Sequence, residues 1–145
     1  MRAVIQRVTG AELKVDGELI SAIGKGLVVF FGVTQDDTEE KADYIAKKIA
    51  NLRIFEDENG KMNKSVQDER GEVLFVSQFT LYGDASHGNR PSFTAAARGE
   101  VAKPLYDYAA SALSAFGVPV KKGVFGADMK IQQLNDGPVT ILLEI

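Results

Sequence analysis

The sequence has no cysteine and only one histidine, His87, and these absences exclude several classes of chemistry. Without cysteine there is no disulfide, no thiolate nucleophile and no cysteine-bound zinc or iron–sulfur centre. A single histidine excludes a histidine-rich metal cluster, although carboxylates are still able to hold a hard cation. His87 lies in a polar stretch between 83 and 91, which favours a loop residue over a catalytic base.

Long apolar runs and an excess of positive charge are also missing. No window approaches the ~18 uninterrupted apolar residues of a membrane span. The first residues, which include Arg2 and Arg7, lack the apolar core of a signal peptide, so we expect a cytoplasmic protein without membrane contact. Lys and Arg number 17 against 20 Asp and Glu. This balance argues against a protein wrapped in nucleic acid, but is compatible with one that grips a single RNA end.

The composition that remains is typical of one globular domain over residues 1–145. Hydrophobic residues make up 45% of the chain and charged residues 26%. A chain of this length buries roughly 70% of the surface that it exposes when unfolded. No internal repeat, low-complexity tract or linker divides it.

Most of the local patterns indicate strands. Ala11, Leu13 and Val15 alternate with charged residues, and Asp16-Gly17 supplies the positive φ angles of a tight hairpin. An unbroken apolar run over 27–33 is typical of a strand buried on both faces. The pattern predicts further strands over 19–23, 73–81, 129–134 and 139–145.

Two amphipathic helices interrupt these strands. Asp37 and Glu40 have the spacing of a capping box, and one apolar face follows at Ala42, Ile45, Ala46 and Ile49. The second helix is predicted with Pro104 in its first turn and a stop at Gly117 and Pro119; its apolar face comprises Val101, Leu105, Tyr108, Ala109, Ala112 and Phe116. The order of elements predicts an α+β domain whose antiparallel sheets curl into a barrel or pack face to face.

The hydroxyls of Ser77 and Thr80 are the obvious nucleophiles, but neither has a recognisable base. The only histidine follows the strand in a loop, and no G-x-S-x-G elbow is present. On a strand, residues three apart also point to opposite sides of the sheet. The residues alone therefore favour local packing over a serine-hydrolase triad.

Carboxylates and glycine-rich turns offer no stronger site. The acidic residues at 36–40 lie where a helix N-terminus favours negative charge, and those at 56–58 lack the pattern of a calcium loop. Gly24-Lys25-Gly26 and the segment 123–126 have neither Walker nor dinucleotide-binding spacing. We expect no metal site.

Gly137-Pro138 lies between two predicted strands, where proline marks an edge, a bulge or a bend. In such a bend, both carbonyls are able to point into a cavity as rigid acceptors. From the residues alone, a plain turn is the simpler interpretation.

Two segments together resemble the D-aminoacyl-tRNA deacylase family. Ser77-Gln78-Phe79-Thr80-Leu81 matches the family's SQFTL signature, and Asn135 to Thr140 matches NxGPxT at every specified position. The segments 1–8, 51–55 and 123–129 are also similar to the family, so the resemblance extends over nearly the whole chain.

The resemblance implies an enzyme that hydrolyses the ester joining a D-amino acid, or mischarged glycine, to the terminal adenosine of tRNA. It implies a barrel-like homodimer that binds the aminoacyl-tRNA acceptor end, uses no cofactor or metal and does not act on DNA. A cis Gly137-Pro138 bend would enter the partner subunit's site, where its carbonyls would occupy the space of an L-side chain. Arg7 would hold this bend, while Phe125 and Met129 would line the adenosine pocket.

The same resemblance implies how the ester is attacked. Backbone N–H groups near Ser77, Gln78, Phe79 and Thr80 would stabilise the oxyanion, and the 2′-hydroxyl of the tRNA would help water to attack. Thr80 as a covalent nucleophile is the rival mechanism. Two further alternatives are a dimeric module that binds tRNA ends without hydrolysis and a hydrolase of other acyl esters.

Overall fold

Eight strands and two helices make up the fold in a computed structural model that describes residues 1–145. The elements are β1 (Arg2–Val15), β2 (Glu18–Ile23), β3 (Gly26–Gly32), α1 (Glu39–Asn51), β4 (Phe55–Glu56), β5 (Met62–Lys64), β6 (Glu72–Ser77), α2 (Gly99–Ser114), β7 (Val120–Lys122) and β8 (Lys130–Glu144). A short 3₁₀ turn, Phe79–Tyr82, follows β6.

The long strand β1 organises the main sheet. Its first half pairs with β3, its second half pairs with β2, and β8 pairs along its other edge. The sheet continues from β3 to β6 and β7, and it curls into a nearly closed barrel. This confirms the predicted α+β, barrel-like class with two helices. The pairings of β3 with β6 and of β6 with β7 are parallel, so the sheet is mixed.

The helices cover one face of this sheet and bury most of the core. A cluster of 23 buried residues joins α1 and α2 to β1, β3 and β6, with Phe31, Phe75 and Tyr106 at its centre. A second cluster of seven residues includes Leu13 and Val28. Neither helix has the length and apolarity that a membrane crossing requires.

The start of α1 corrects the predicted capping box. Thr38, not Asp37, is the N-cap, and its hydroxyl accepts the Lys41 N–H at 3.4 Å. The buried Asp37 carboxylate instead accepts hydrogen bonds from the Met1 ammonium at 2.7 Å and from the Thr34 N–H at 2.8 Å. A buried carboxylate needs such partners, because an unpaired charge in the interior is strongly unfavourable.

The second helix also starts earlier than predicted. Because α2 begins at Gly99, Pro104 is its sixth residue and lies beyond the first turn. The side chain of Pro104 is exposed, so water can reach this part of the helix. The buried face contains Tyr106 and Leu113, whereas Phe116 lies past the helix end and is partly exposed. Gly117, at φ +81°, follows the helix as predicted.

Two strand boundaries differ from the prediction. The strand β6 ends at Ser77 rather than 81, since the chain turns into the 3₁₀ segment. The two predicted C-terminal strands are one strand, β8, which pairs with β1 on both sides of the Gly137-Pro138 bend. Sequence patterns did not show this continuity because the partner strand lies at the other end of the chain.

Candidate active site

A cavity of about 390 Å³ opens between the end of β6 and the segment before β8. Eleven of its 16 lining residues are hydrophobic, which suits an aromatic or aliphatic ligand better than a highly charged one. Ser77, Gln78 and Phe79 form one wall, and Phe125 and Met129 belong to another. Folding therefore brings together two of the segments that the sequence singled out.

The wall formed by 77–80 is shaped by the end of β6. The Gln78 N–H donates to the Phe31 carbonyl at 2.8 Å, and the Gly83 N–H donates to the Thr80 carbonyl at 2.9 Å. Gly32 allows this turn to lie close to the end of β3, because a Cβ at position 32 would lie 3.1 Å from the Gln78 carbonyl oxygen. The N–H groups of Phe79 and Thr80 form no backbone hydrogen bond. Two donors at the start of a turn are thus available to an anionic oxygen.

Ser77 and Thr80 do not form a nucleophile–base pair. Ser77 lines the cavity, whereas Thr80 lies in the turn and is exposed. The Gln78 side-chain amide donates to the Thr80 hydroxyl, and no imidazole or carboxylate contacts that hydroxyl. His87 is exposed in the loop that follows. The predicted opposite strand faces were wrong for this pair, because Thr80 is not in a strand.

The wall formed by Phe125 and Met129 rests on α2 and β6. The Phe125 ring packs against the Tyr106 ring at a centroid distance of 5.8 Å. The Phe75 carbonyl accepts both the Tyr106 hydroxyl at 2.8 Å and the Gly123 N–H at 3.1 Å. Burial raises the pKa of Tyr106, so this hydroxyl stays protonated as a donor. Tyr106 was missed because the predicted apolar face of this helix included Tyr108 instead, whereas the structure buries Tyr106.

Close packing also places Met129. A Cβ on Gly123 would lie 2.6 Å from the Met129 sulfur and 3.0 Å from Leu13 Cδ1. The absence of a side chain at 123 therefore lets Met129 fold back against the main chain. This arrangement sets the position of one cavity wall without any polar contact.

Gly137-Pro138 lies outside this cavity. Its peptide bond is cis, and both residues are exposed on β8. The buried guanidinium of Arg7 contacts the bend at Asp136 and donates to the Ile54 carbonyl at 2.7 Å. Within one chain, the structure separates Arg7, Gly137 and Pro138 from the cavity formed by the other predicted site residues.

With this geometry established, comparison with known proteins identifies the family. The sequence profile described as D-Tyr-tRNA(Tyr) deacylase matches residues 4–144. The chain belongs to this family. Proteins named D-aminoacyl-tRNA deacylase are 54% identical to it in Limosilactobacillus reuteri (strain DSM 20016), over 99% of both chains. In Koribacter versatilis (strain Ellin345) the identity is 58%, over 99% of this chain and 97% of the relative.

Solved structures extend the family resemblance to three dimensions. A structure titled "c-Myc DNA Unwinding Element Binding Protein" superposes with a TM-score of 0.93 at 46% identity, over 100% of this chain and 99% of that one. A second, titled as a probable eukaryotic D-amino acid tRNA deacylase, has a TM-score of 0.86 at 19% identity and covers 99% and 98%. At that identity, the second likeness supports the fold alone.

Proposed function

We propose that this chain hydrolyses the ester bond of D-aminoacyl-tRNA and releases the D-amino acid and the tRNA. The observation that carries this proposal is one cavity lined by Phe125 and Met129 and by Ser77, Gln78 and Phe79, beside a turn in which the N–H groups of Phe79 and Thr80 form no backbone hydrogen bond. Such a cavity suits a flat apolar base beside a reacting carbonyl. Membership of the D-Tyr-tRNA(Tyr) deacylase family supports the same substrate.

The terminal adenosine would occupy the wall formed by Phe125 and Met129. Phe125 offers a ring face for the base, and the flexible Met129 side chain can fit closely around it. Binding there would place the acyl ester near Ser77, Gln78 and Phe79, which line the same cavity. Positioning of this kind contributes much of the rate when the bond is already reactive.

Water is the proposed attacking group. Its oxygen adds to the ester carbonyl carbon, and the carbonyl oxygen becomes an oxyanion held by the N–H groups of Phe79 and Thr80. As the carbonyl re-forms, the carbon–oxygen bond to the ribose breaks, and the departing ribose oxygen takes the proton that the attacking water has given up. The neighbouring 2′-hydroxyl of the tRNA would orient the water, since the one carboxylate that lines the cavity, that of Asp128, is paired with the Lys130 ammonium at 2.9 Å.

Selectivity for D-esters would come from a second copy of the chain. The exposed Gly137-Pro138 bend, held by Arg7, would enter the cavity of the partner in a homodimer. Its carbonyl oxygens would occupy the space of an L-side chain, which rejects L-esters by steric overlap and desolvation. Glycine has no side chain to collide, so glycyl-tRNA would also be a substrate.

The contact with tRNA would be confined to the acceptor end. The formal net charge of -3 does not favour a broad electrostatic interface. Each phosphate contact to a single strand contributes a slope of roughly −0.7 to the dependence of log affinity on log salt. We therefore expect a shallow salt dependence.

The deciding experiment incubates the purified chain with D-Tyr-tRNA and L-Tyr-tRNA and measures free tyrosine. Rapid release from the D-ester alone supports the proposal. Equal release from both esters would contradict the chiral filter, and no release from either would contradict the hydrolase. Light scattering during gel filtration tests the homodimer, because a monomer at assay concentration would leave the cavity without the proposed bend.

Nucleic-acid binding without hydrolysis is a second candidate. One similar solved structure carries a title that names a DNA unwinding element binding protein. The negative net charge and the apolar cavity argue less for a DNA duplex than for a single RNA end. Binding of tRNA or duplex DNA, with no loss of the D-ester, would favour this candidate.

A further inference from the structure

The Gly137-Pro138 bend is flanked by the polar side chains of Asn135 and Thr140, which contact each other across it. In the pairing of β1 with β8, Gln6 faces Thr140 and Val8 faces Asn135. The four residues 136–139 therefore face the single residue Arg7, and they must leave the plane of the sheet. Side chains, rather than ladder hydrogen bonds, have to hold the shape of this excursion.

Asn135 clamps the base of the bend. Its side-chain NH₂ group donates to the Arg7 carbonyl at 2.9 Å and to the Val139 carbonyl at 3.2 Å. Only an NH₂ group suits two carbonyl oxygens, so the orientation of this amide is determined by its surroundings. The clamp connects the entry and the exit of the bend to β1.

The orientation of the Asn135 amide determines the orientation of two further side-chain amides. With its NH₂ group occupied, Asn135 Oδ1 accepts the Gln6 side-chain N–H at 3.1 Å. Gln6 Oε1 in turn accepts the Gln133 side-chain N–H at 2.6 Å. This series of hydrogen bonds ends at Gln133 Oε1, a buried acceptor without a partner. An unpaired buried acceptor is unfavourable. Its presence here therefore indicates that the contacts of Asn135 and Gln6 determine how all three amides are oriented.

Thr140 connects these hydrogen-bonded side-chain amides to the bend. Its hydroxyl lies 3.4 Å from Gln6 Nε2, from which it accepts a hydrogen bond. It has one hydrogen to donate, and the Pro138 carbonyl at 3.2 Å is closer than Asn135 Oδ1 at 3.5 Å. The Pro138 carbonyl is one of the two oxygens proposed to exclude L-side chains. Its direction is therefore set by a hydroxyl whose own orientation depends on Gln6.

We propose that Gln6, Asn135 and Thr140 are positioning residues for the rejection of L-esters. They fix the direction of the Pro138 carbonyl, while Arg7 holds the bend from the side of Asp136. This inference rests on the proposed function. It adds that the filter depends on a side-chain hydrogen-bond network, and not on the main chain of Gly137-Pro138 alone.

The test compares kcat/KM for D-Tyr-tRNA and L-Tyr-tRNA in four variants. Thr140→Val removes the hydroxyl at constant shape, and Gln6→Met removes the amide at similar length. Both should raise the relative hydrolysis of the L-ester about three- to tenfold, the range expected for a lost hydrogen bond. Thr140→Ser keeps the hydroxyl and should restore the wild-type ratio. Gln132→Met is the matched control, because Gln132 is exposed on the same strand and its side chain is not one of the hydrogen-bonded groups beside the bend.

The outcomes separate this inference from the proposed function. If the unaltered chain fails to hydrolyse the D-ester, both are overturned, so that measurement comes first. If the unaltered chain is active and selective, but folded Thr140→Val and Gln6→Met keep the same D/L ratio, only the positioning role is overturned. Thermal unfolding identifies any misfolded variant. Thr140 is exposed, so Thr140→Val decides the question even if Gln6→Met does not fold.

Discussion

Arg7 and Asp136 are joined by two contacts between opposite ends of the chain. Arg7 Nε lies 3.3 Å from the Asp136 carbonyl oxygen and 3.1 Å from the Asp136 carboxylate. The same guanidinium donates to the Ile54 carbonyl at 2.7 Å, and the Arg7 residue is only 6% exposed. A planar group with several fixed donors can satisfy these acceptors together. Arg7 thus connects the bend of β8 to the segment before β4.

Arg7→Lys should loosen this connection. A lysine ammonium is a point charge on a flexible stem and does not reproduce the planar set of donors. We expect a loss of about 1–3 kcal/mol in the free energy of unfolding and a higher relative rate on L-Tyr-tRNA. Urea unfolding and the D/L ratio measure the two effects. Arg53→Lys is the matched control, since Arg53 is exposed and bonds to Asn63. Equal effects in both variants would contradict a specific role of Arg7.

Thr80→Val should retain substantial activity. The Thr80 hydroxyl accepts from the Gln78 amide and has no base that could remove its proton. With water as the attacking group, we expect less than about a tenfold loss in kcat for D-Tyr-tRNA, the range of one modest hydrogen bond. Single-turnover kinetics checks this. A loss of several thousandfold with binding intact would instead indicate that Thr80 is a covalent nucleophile.

Gly123→Ala should weaken substrate binding. The new Cβ would lie 2.6 Å from the Met129 sulfur, and the flexible Met129 side chain can move away into the cavity. We expect KM for D-Tyr-tRNA to rise about tenfold, which corresponds to a loss of about 1.4 kcal/mol of binding free energy, while kcat changes less. Gly99→Ala is the control, because Gly99 lines the same cavity and its Cβ would make only ordinary contact with Phe125 at 3.8 Å. An unchanged KM in Gly123→Ala would contradict the proposed role of the Met129 wall.

Asp37→Asn should lower stability and change its pH dependence. Burial alone raises the pKa of Asp37, but the Met1 ammonium, the Thr34 N–H and Lys41 outweigh it and lower the pKa overall. The stabilisation by the ionised Asp37 carboxylate is therefore complete above the pKa of about 3.9 that an aspartate has in the unfolded chain. It is lost as the pH falls below that value. At pH 7, removal of the charge should cost about 3 kcal/mol, or roughly 6–12 °C in Tm.

Calorimetry between pH 7 and pH 3 tests this expectation. The Tm difference between the unaltered chain and Asp37→Asn should narrow as the pH falls below about 4. Asp36→Asn is a suitable control, because Asp36 is exposed beside the same helix. A difference that stays constant down to pH 3 would show that Asp37 does not act through its charge.

Local patterns in the sequence were enough for the class of fold and for much of the core. The alternation in β1, the apolar run of β3 and the face of α1 each follow from the period of a strand or a helix, and the structure buries most of those residues, whereas Val15 and Phe30 are only partly buried. The two signature segments were sufficient to suggest the family, since they match at every specified position. All of these features are set by residues that are close together in the chain.

Only the tertiary structure decided what depends on residues far apart in the chain. It gave Asp37 the Met1 ammonium as its partner in place of a helix cap, and it brought Phe79 and Phe125 to one cavity. It also joined Gln6 to Asn135 beside the bend. These contacts arise when β1 pairs with β8 and when β6 turns beside β3. The pairing partners are chosen by burial and hydrogen bonding in the whole molecule, which local periodicity does not encode.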